Sequence, residues 1–347
     1  MTPSAPLRLL IDRAGLADNW RALRQASGTA TCGAAVKADG YGLGASGVVD
    51  TLVEAGCRDF FVAIWAEADT IAARAPAISV LHGVREEDMA AALASPAQVR
   101  PVLNTVAQVM RWRDGAGDRP CDVMVDTGMN RLGLSPADVS GGLLDRLTIE
   151  TLMSHLACAD EPGHAMNERQ RAALAGLAGR TAARRLSLAN SAGIALGAGY
   201  GFDLTRPGLA LYGGVPCAGL EGAIRSVATI EAQVLQRRSV RAGEGVGYNA
   251  TWIAPADAEV AIVNLGYADG YCRGFSDRGH AFAGDITLPV IGRVSMDLVA
   301  LDVTAAAVGE GDWVRIAYDL PTAARASGMS QYELLTGLGG RVGRVWA

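Results

Sequence analysis

Lys37 is the only lysine among the 31 lysine and arginine residues of this 347-residue chain. Arginine supplies charge and bidentate hydrogen bonds but keeps its proton, so it serves as neither an amine nucleophile nor a base; lysine does both when its pKa is lowered. A chain that meets every other basic position with arginine singles this residue out for covalent chemistry. Its flanks agree. Gly33-Ala34-Ala35-Val36 is a short apolar run, and Gly40, Gly42, Gly44 and Gly47 follow as loop signals. Lys37 therefore falls at the carboxyl end of a buried strand, where parallel α/β folds bind their ligands. Burial there disfavours the ammonium form, as a Schiff-base lysine requires. The competing reading, a leftover surface charge, does not explain these flanks.

Other chemistries are less well supported. The formal net charge of −5 points to neither a nucleic acid nor an anionic membrane as partner. No apolar run approaches the ~20 residues that span a bilayer. The first ten residues lack the charged start and long apolar stretch of a signal peptide, so a cytoplasmic protein is expected. The six cysteines and four histidines are scattered, without C-x-x-C or H-x-x-x-H spacing, so reduced thiols and no metal site are expected. Gly42-Leu43-Gly44-Ala45-Ser46-Gly47 is a literal G-x-G-x-x-G. A dinucleotide-binding turn, however, places its glycines directly after the strand and an acidic residue ~20 positions on, at the end of the next strand. Here Lys37, Asp39 and Tyr41 intervene, and the next strand-like run is followed by Trp65-Ala66 before Glu67. A nicotinamide-dependent dehydrogenase is disfavoured on these grounds.

The elements that must position Lys37 are a repeat of strand and helix. Asp12 is suited to cap a helix whose Leu16, Trp20 and Leu23 share one face. Strand-like runs follow at Phe60 to Ile64, Ile78 to Leu81, Val99 to Leu103, Asp122 to Val125, Thr151 to Ser154 and Leu186 to Leu188, with amphipathic segments such as Arg169 to Leu177 between them. This pattern predicts an α/β fold, a TIM-like (β/α)8 barrel over residues 1–225. Beyond it the texture changes to short β-type runs at Val227 to Ile230, Glu259 to Val263, Ile286 to Val290 and Trp313 to Ile316, separated by glycine and aspartate turns. A C-terminal, mainly-β domain over residues 226–347 is expected. Arg8 to Ile11 is strand-like too, and residues 1–11 could belong to that β domain.

Several segments carry a specific resemblance. Ala35-Val36-Lys37-Ala38-Asp39-Gly40-Tyr41-Gly42-Leu43-Gly44 resembles the cofactor-lysine signature of the alanine racemases, a family dependent on pyridoxal phosphate. Asp126-Thr127-Gly128-Met129-Asn130-Arg131, Ser154-His155-Leu156, Leu188-Ala189-Asn190-Ser191 and Arg206-Pro207-Gly208-Leu209 are similar to further family segments, in order. So are Gly247-Tyr248-Asn249-Ala250-Thr251, Gly266-Tyr267-Ala268-Asp269 and Arg293-Val294-Ser295-Met296-Asp297, and together they span nearly the whole chain.

The resemblance implies an enzyme that interconverts L- and D-alanine, either to supply D-alanine for peptidoglycan or to break alanine down. It implies that Lys37 holds the cofactor and acts as base on one face of the substrate Cα, with Tyr248 as base on the other; racemisation needs both, because the proton leaves one face and returns on the opposite one. Arg206 is implied at the pyridine nitrogen, His155 against the ring, and Arg131 at the phenolic oxygen and the substrate. Tyr41, Ser191, Gly208 and Leu209 are implied at the phosphate, with Asn190 beside them, while Met296 and Tyr267 are implied at the substrate. In the family, the residues matching Tyr248 and Met296 reach into the partner subunit's barrel, which implies a homodimer with shared sites. Three positions depart from the pattern. Met124 replaces a lysine that is often carbamylated and orients the arginine matched by Arg131, Gly340 replaces a phosphate-binding tyrosine, and Ser295 replaces a cysteine. These leave room for a serine or broad-spectrum racemase, since one hydroxyl is hard to exclude from such a pocket. A non-enzymatic pyridoxal-phosphate carrier shares the barrel but lacks a β domain, and Tyr248 and the chain beyond residue 225 speak against it.

Overall fold

The computed structural model describes residues 5–347. The chain packs as two units: Ala14–Arg225, and a second unit that joins the N-terminal segment up to Arg13 to Ser226–Ala347.

In the first unit the parallel strands run in the order Thr31–Cys32, Leu204–Thr205, Arg185–Ser187, Ile149–Met153, Cys121–Met124, Val99–Leu103, Ala77–Val80, Asp59–Val62 and Ala34–Ala35. The first and last of these are halves of one strand, interrupted at Gly33. On one side the Gly33 N–H donates to Thr205 O at 2.9 Å; on the other, Val36 N–H donates to Phe61 O at 2.8 Å. Counted as one strand, residues 31–35 close the sheet into the expected barrel. Closure also requires glycine at 33, because a Cβ there would stand 2.8 Å from Asp59 O and 2.9 Å from the Phe61 ring. Asp59–Val62, Val99–Leu103 and Cys121–Met124 are buried at every position, as expected of strands covered on both faces. On the outside, Arg13–Ala26 buries Leu16, Trp20 and Leu23 along one stripe.

The barrel also buries charge. Arg185 donates to both carboxylate oxygens of Asp59, at 2.8 and 3.2 Å. Asp122 is fully buried and takes a 2.7 Å bond from the Ser79 hydroxyl and a 3.4 Å bond from Arg100. Arg100 and Asp122 lie on adjacent strands, so the sheet register brings together residues 22 positions apart.

The second unit is an antiparallel barrel. Its strands follow the order Ala258–Val263, Val299–Asp302, Ile286–Ile291, His280–Ala283, Trp313–Ile316 and Ala228–Val240, and the last of these also pairs with the first. Ala228–Val240 can serve both ends because its register shifts between Val234 and Gln236, which turns the strand from one partner to the next. Leu7–Ile11 adds to the same strand, Leu9 opposite Ile230, and Gly343–Trp346 runs parallel beside Leu7–Ile11. Two helices, Leu320–Ser327 and Gln331–Thr336, were not anticipated from periodicity because neither is long enough to show it. Their caps were legible, however. The Asp319 side chain accepts from Thr322 N–H, and Ser330 and Glu333 form a reciprocal capping box, the S-x-x-E pattern.

Candidate active site

Lys37 leaves the strand Ala34–Ala35 and enters a turn in which Ala38, Asp39, Gly40 and Tyr41 all have positive φ, between 53° and 64°. Each non-glycine residue held there costs about 1–2 kcal/mol, so this run is paid for by its surroundings. Glu67 accepts from Ala38 N–H at 2.7 Å, Asp39 accepts from Ala45 N–H at 2.7 Å, and Gly42 N–H donates to Ala38 O at 2.8 Å. The Tyr41 ring stacks on Tyr212 with centroids 4.6 Å apart, and the Tyr212 hydroxyl donates to Ala35 O at 2.8 Å. Lys37 itself is half-buried. Burial lowers the pKa of its amine and Arg131 adds repulsion, while Glu67 pulls the other way.

Other basic groups gather at neighbouring strand ends. Arg206 follows the strand Leu204–Thr205 and is buried, its guanidinium bonded to the Ser187 hydroxyl and to Ser154 O. Burial lowers its pKa to about 10, so it stays protonated at neutral pH, helped by the Asp122 charge. His155 follows the strand Ile149–Met153; burial first, then the charges of Arg206, Arg131 and Lys37, push its pKa down to about 3, which leaves a neutral imidazole. Arg131 stands on the loop after Cys121–Met124, where the Asp126 carboxylate accepts from Gly128 N–H at 2.8 Å and Arg131 N–H at 3.1 Å. The Met124 side chain is buried and carries no anionic oxygen for Arg131. The charges of Arg206, Arg131 and Lys37 thus all act on His155, and Arg131 acts on Lys37, an arrangement suited to an anion.

A polar cradle lies on the turns after the last barrel strands. Ser191 Oγ accepts from Gly208 N–H at 3.0 Å and from Ala210 N–H at 3.2 Å. Asn190 caps the short helix Ser191–Ala195 by accepting from Gly193 N–H at 2.9 Å. Gly208 lets the Tyr41 hydroxyl approach, since a Cβ at 208 would stand 2.3 Å from that oxygen. Leu209 begins the next turn and is buried. Tyr41, Ser191 and Gly208, far apart in sequence, are therefore brought together.

The remaining expected residues stand on the β unit. Tyr248 is 67% exposed and begins a turn in which Asn249 has φ +62°; Met296 is 53% exposed and Tyr267 38%. Tyr267 N–H donates to Ser295 O and Ala268 N–H to Met296 O, both at 3.0 Å, so the two loops are tied together. Arg341 ties them further, donating to the buried Asp269 at 2.9 Å and to Asp297 at 2.7 Å. Three supporting residues escaped sequence reasoning: Glu67, Arg341 and Gln170. The buried Gln170 side chain donates to His155 O and accepts from Ala157 N–H, both at 2.8 Å. Nothing in their spacing marks them, because their partners are backbone groups and distant loops.

Comparison with known proteins covers both units. The model of the alanine racemase N-terminal domain matches residues 11–216, and that of the C-terminal domain matches residues 227–346. The chain is 43% identical to an alanine racemase of Dinoroseobacter shibae, over 99% of each sequence. Two alanine racemases of Agrobacterium fabrum are similar at nearly equal distance, one described as biosynthetic at 41% (99% of this chain, 94% of that protein) and one as catabolic at 40% (97% and 91%). The structure superposes with a TM-score of 0.90 on the alanine racemase of Bartonella henselae with covalently bound pyridoxal phosphate, at 32% identity over 99% of this chain and 100% of that one.

Proposed function

The chain belongs to the alanine racemase family, and from that premise we propose that it interconverts L- and D-alanine with pyridoxal phosphate bound through Lys37. The observation that carries this reading is the single lysine at a barrel strand end, with Arg131, His155 and Arg206 around it. The residues present suit the group. An aromatic ring bearing a phosphate needs a neutral amine, cationic partners and close backbone approach; the lowered Lys37 pKa, the buried Arg206 and the Gly208 cradle supply these. Bound to an amine, pyridoxal phosphate draws electrons from the attached carbon and makes its hydrogen acidic.

The remaining work falls to this chain's own residues. Tyr41, Ser191, Gly208 and Leu209, with Asn190 fixing the helix start, hold the phosphate. His155 would lie against the ring as a neutral imidazole, adding no charge. Arg206, which keeps its own proton, would stand at the ring nitrogen, leaving that nitrogen unprotonated and discouraging side reactions such as transamination. Arg131 faces the phenolic oxygen and the substrate carboxylate, where a guanidinium is the matching donor. Lys37 takes or gives the proton on one face of the substrate Cα, and Tyr248 on the other. We assign Tyr248, Tyr267 and Met296 to the partner subunit's site in a homodimer; their exposure on the β unit favours this reading.

The test is racemisation of L-alanine and of D-alanine, followed by chiral chromatography with added pyridoxal phosphate, against a panel of other amino acids. Alanine should turn over fastest in both directions. Faster turnover of serine would move the assignment to a broader racemase.

A further inference from the structure

We propose that Glu67 is the positioning residue of Lys37: its carboxylate locks the left-handed turn that presents the amine to the site. This rests on the reading of Lys37 as the cofactor lysine. Glu67 uses both oxygens. One accepts from Ala38 N–H and the other from Ala63 N–H, each at 2.7 Å. Ala38 is the residue after Lys37 and the first of the positive-φ run. Ala63 follows the strand Asp59–Val62, which pairs directly with the strand before Lys37, Ala35 opposite Phe61. A single side chain thus ties the strained turn to the end of the neighbouring strand. Two acceptors at one side-chain terminus require a carboxylate, because a glutamine amide would turn an NH2 towards one of the two N–H groups.

The same placement sets the charge around the amine. Lys37 faces Arg131, which repels its charged form, the neutral His155, and Glu67, which favours it. Glu67 therefore does two things at once. It holds the backbone in a conformation that Ala38, Asp39 and Tyr41 would otherwise leave, and it limits how far burial depresses the amine.

The single lysine makes this measurable without reference to turnover. Lysine labelled with 13C at Cε gives one side-chain resonance for the full chain freed of cofactor, and its pH titration reports Lys37 alone. In Glu67→Gln and Glu67→Ala the titration midpoint should fall below that of the wild type. Loss of the bond to Ala38 should also weaken pyridoxal-phosphate affinity by about tenfold in Glu67→Ala, read from the absorbance of the lysine-bound cofactor, with Glu67→Gln between it and the wild type. Circular dichroism establishes that each variant is folded; if Glu67→Ala is not, Glu67→Gln decides. A folded variant whose Lys37 midpoint and cofactor affinity match the wild type overturns the proposal. Failure of the wild type to racemise alanine would instead overturn the functional reading, while the lysine titration would still judge Glu67.

Discussion

At the scale of the residue, the site is built from groups whose ordinary behaviour has been altered by burial. Lys37 is driven towards its neutral form, Arg206 stays protonated despite being buried, and His155 is kept from titrating near neutrality. Lys37→Arg should abolish activity together with the visible absorbance of lysine-bound cofactor; with no second lysine to substitute, any remaining band would refute the assignment. Tyr248→Phe should slow racemisation on the order of a hundredfold, the worth of a general base. The kcat/KM values of the two directions must fall equally, because the equilibrium constant between enantiomers is one, and unequal losses in kcat/KM would show that another reaction is being measured. His155 makes a prediction about stability. Its pKa is lowered to about 3 in the folded chain against 6.5 for the free side chain, so between these values the unfolded chain binds a proton that the folded chain does not. Stability from this source is present above pH 6.5 and is lost as the pH falls towards 3. In cofactor-free protein, the stability of the wild type relative to His155→Gln should rise with pH across that window, as read by urea unfolding; a difference that stays flat would count against an imidazole held neutral in the folded chain.

At the scale of the element, strand ends and short turns carry the chemistry, and the barrel interior beneath them carries unusual cost. Asp122 is fully buried with Arg100 and Ser79 as its partners. Removing Arg100 takes away a bonded cation and leaves the Asp122 carboxylate the charges of Arg206 and Arg185, so Arg100→Met should destabilise the fold by about 1–3 kcal/mol in chemical denaturation. The double variant Arg100→Met with Asp122→Asn should recover much of the loss, and a double variant no better than the single one would show that packing rather than charge is responsible. Gln170, from the helix Ala165–Ala175, plays a milder part by satisfying one backbone donor, Ala157 N–H, and one backbone acceptor, His155 O, of the loop after Ile149–Met153.

At the scale of the whole molecule, the proposed reading takes one base, Lys37, from the barrel and the other, Tyr248, from the β unit of a partner subunit. With the homodimer reading, co-expressed Lys37→Ala and Tyr248→Phe chains should regain part of the activity in mixed dimers, since one of the two sites would then hold both bases. Verified mixed dimers without recovery would sink the shared site. The sequence by itself determined which residues could do chemistry. The lone lysine, the Gly-Tyr-Asn-Ala-Thr context of Tyr248 and the alternation of strand and helix are local patterns, and local patterns survive in one dimension. They were enough to read a barrel, a β domain and the family. Only the tertiary structure decided what holds those residues in place. Glu67 reaches the turn after Lys37 across 29 positions, Gln170 steadies the loop of His155, and Arg341 bridges Asp269 and Asp297 from 72 and 44 positions away. Such partners are chosen by strand register and loop closure. Because they bond largely to backbone groups, which every residue has, they leave no signature in spacing.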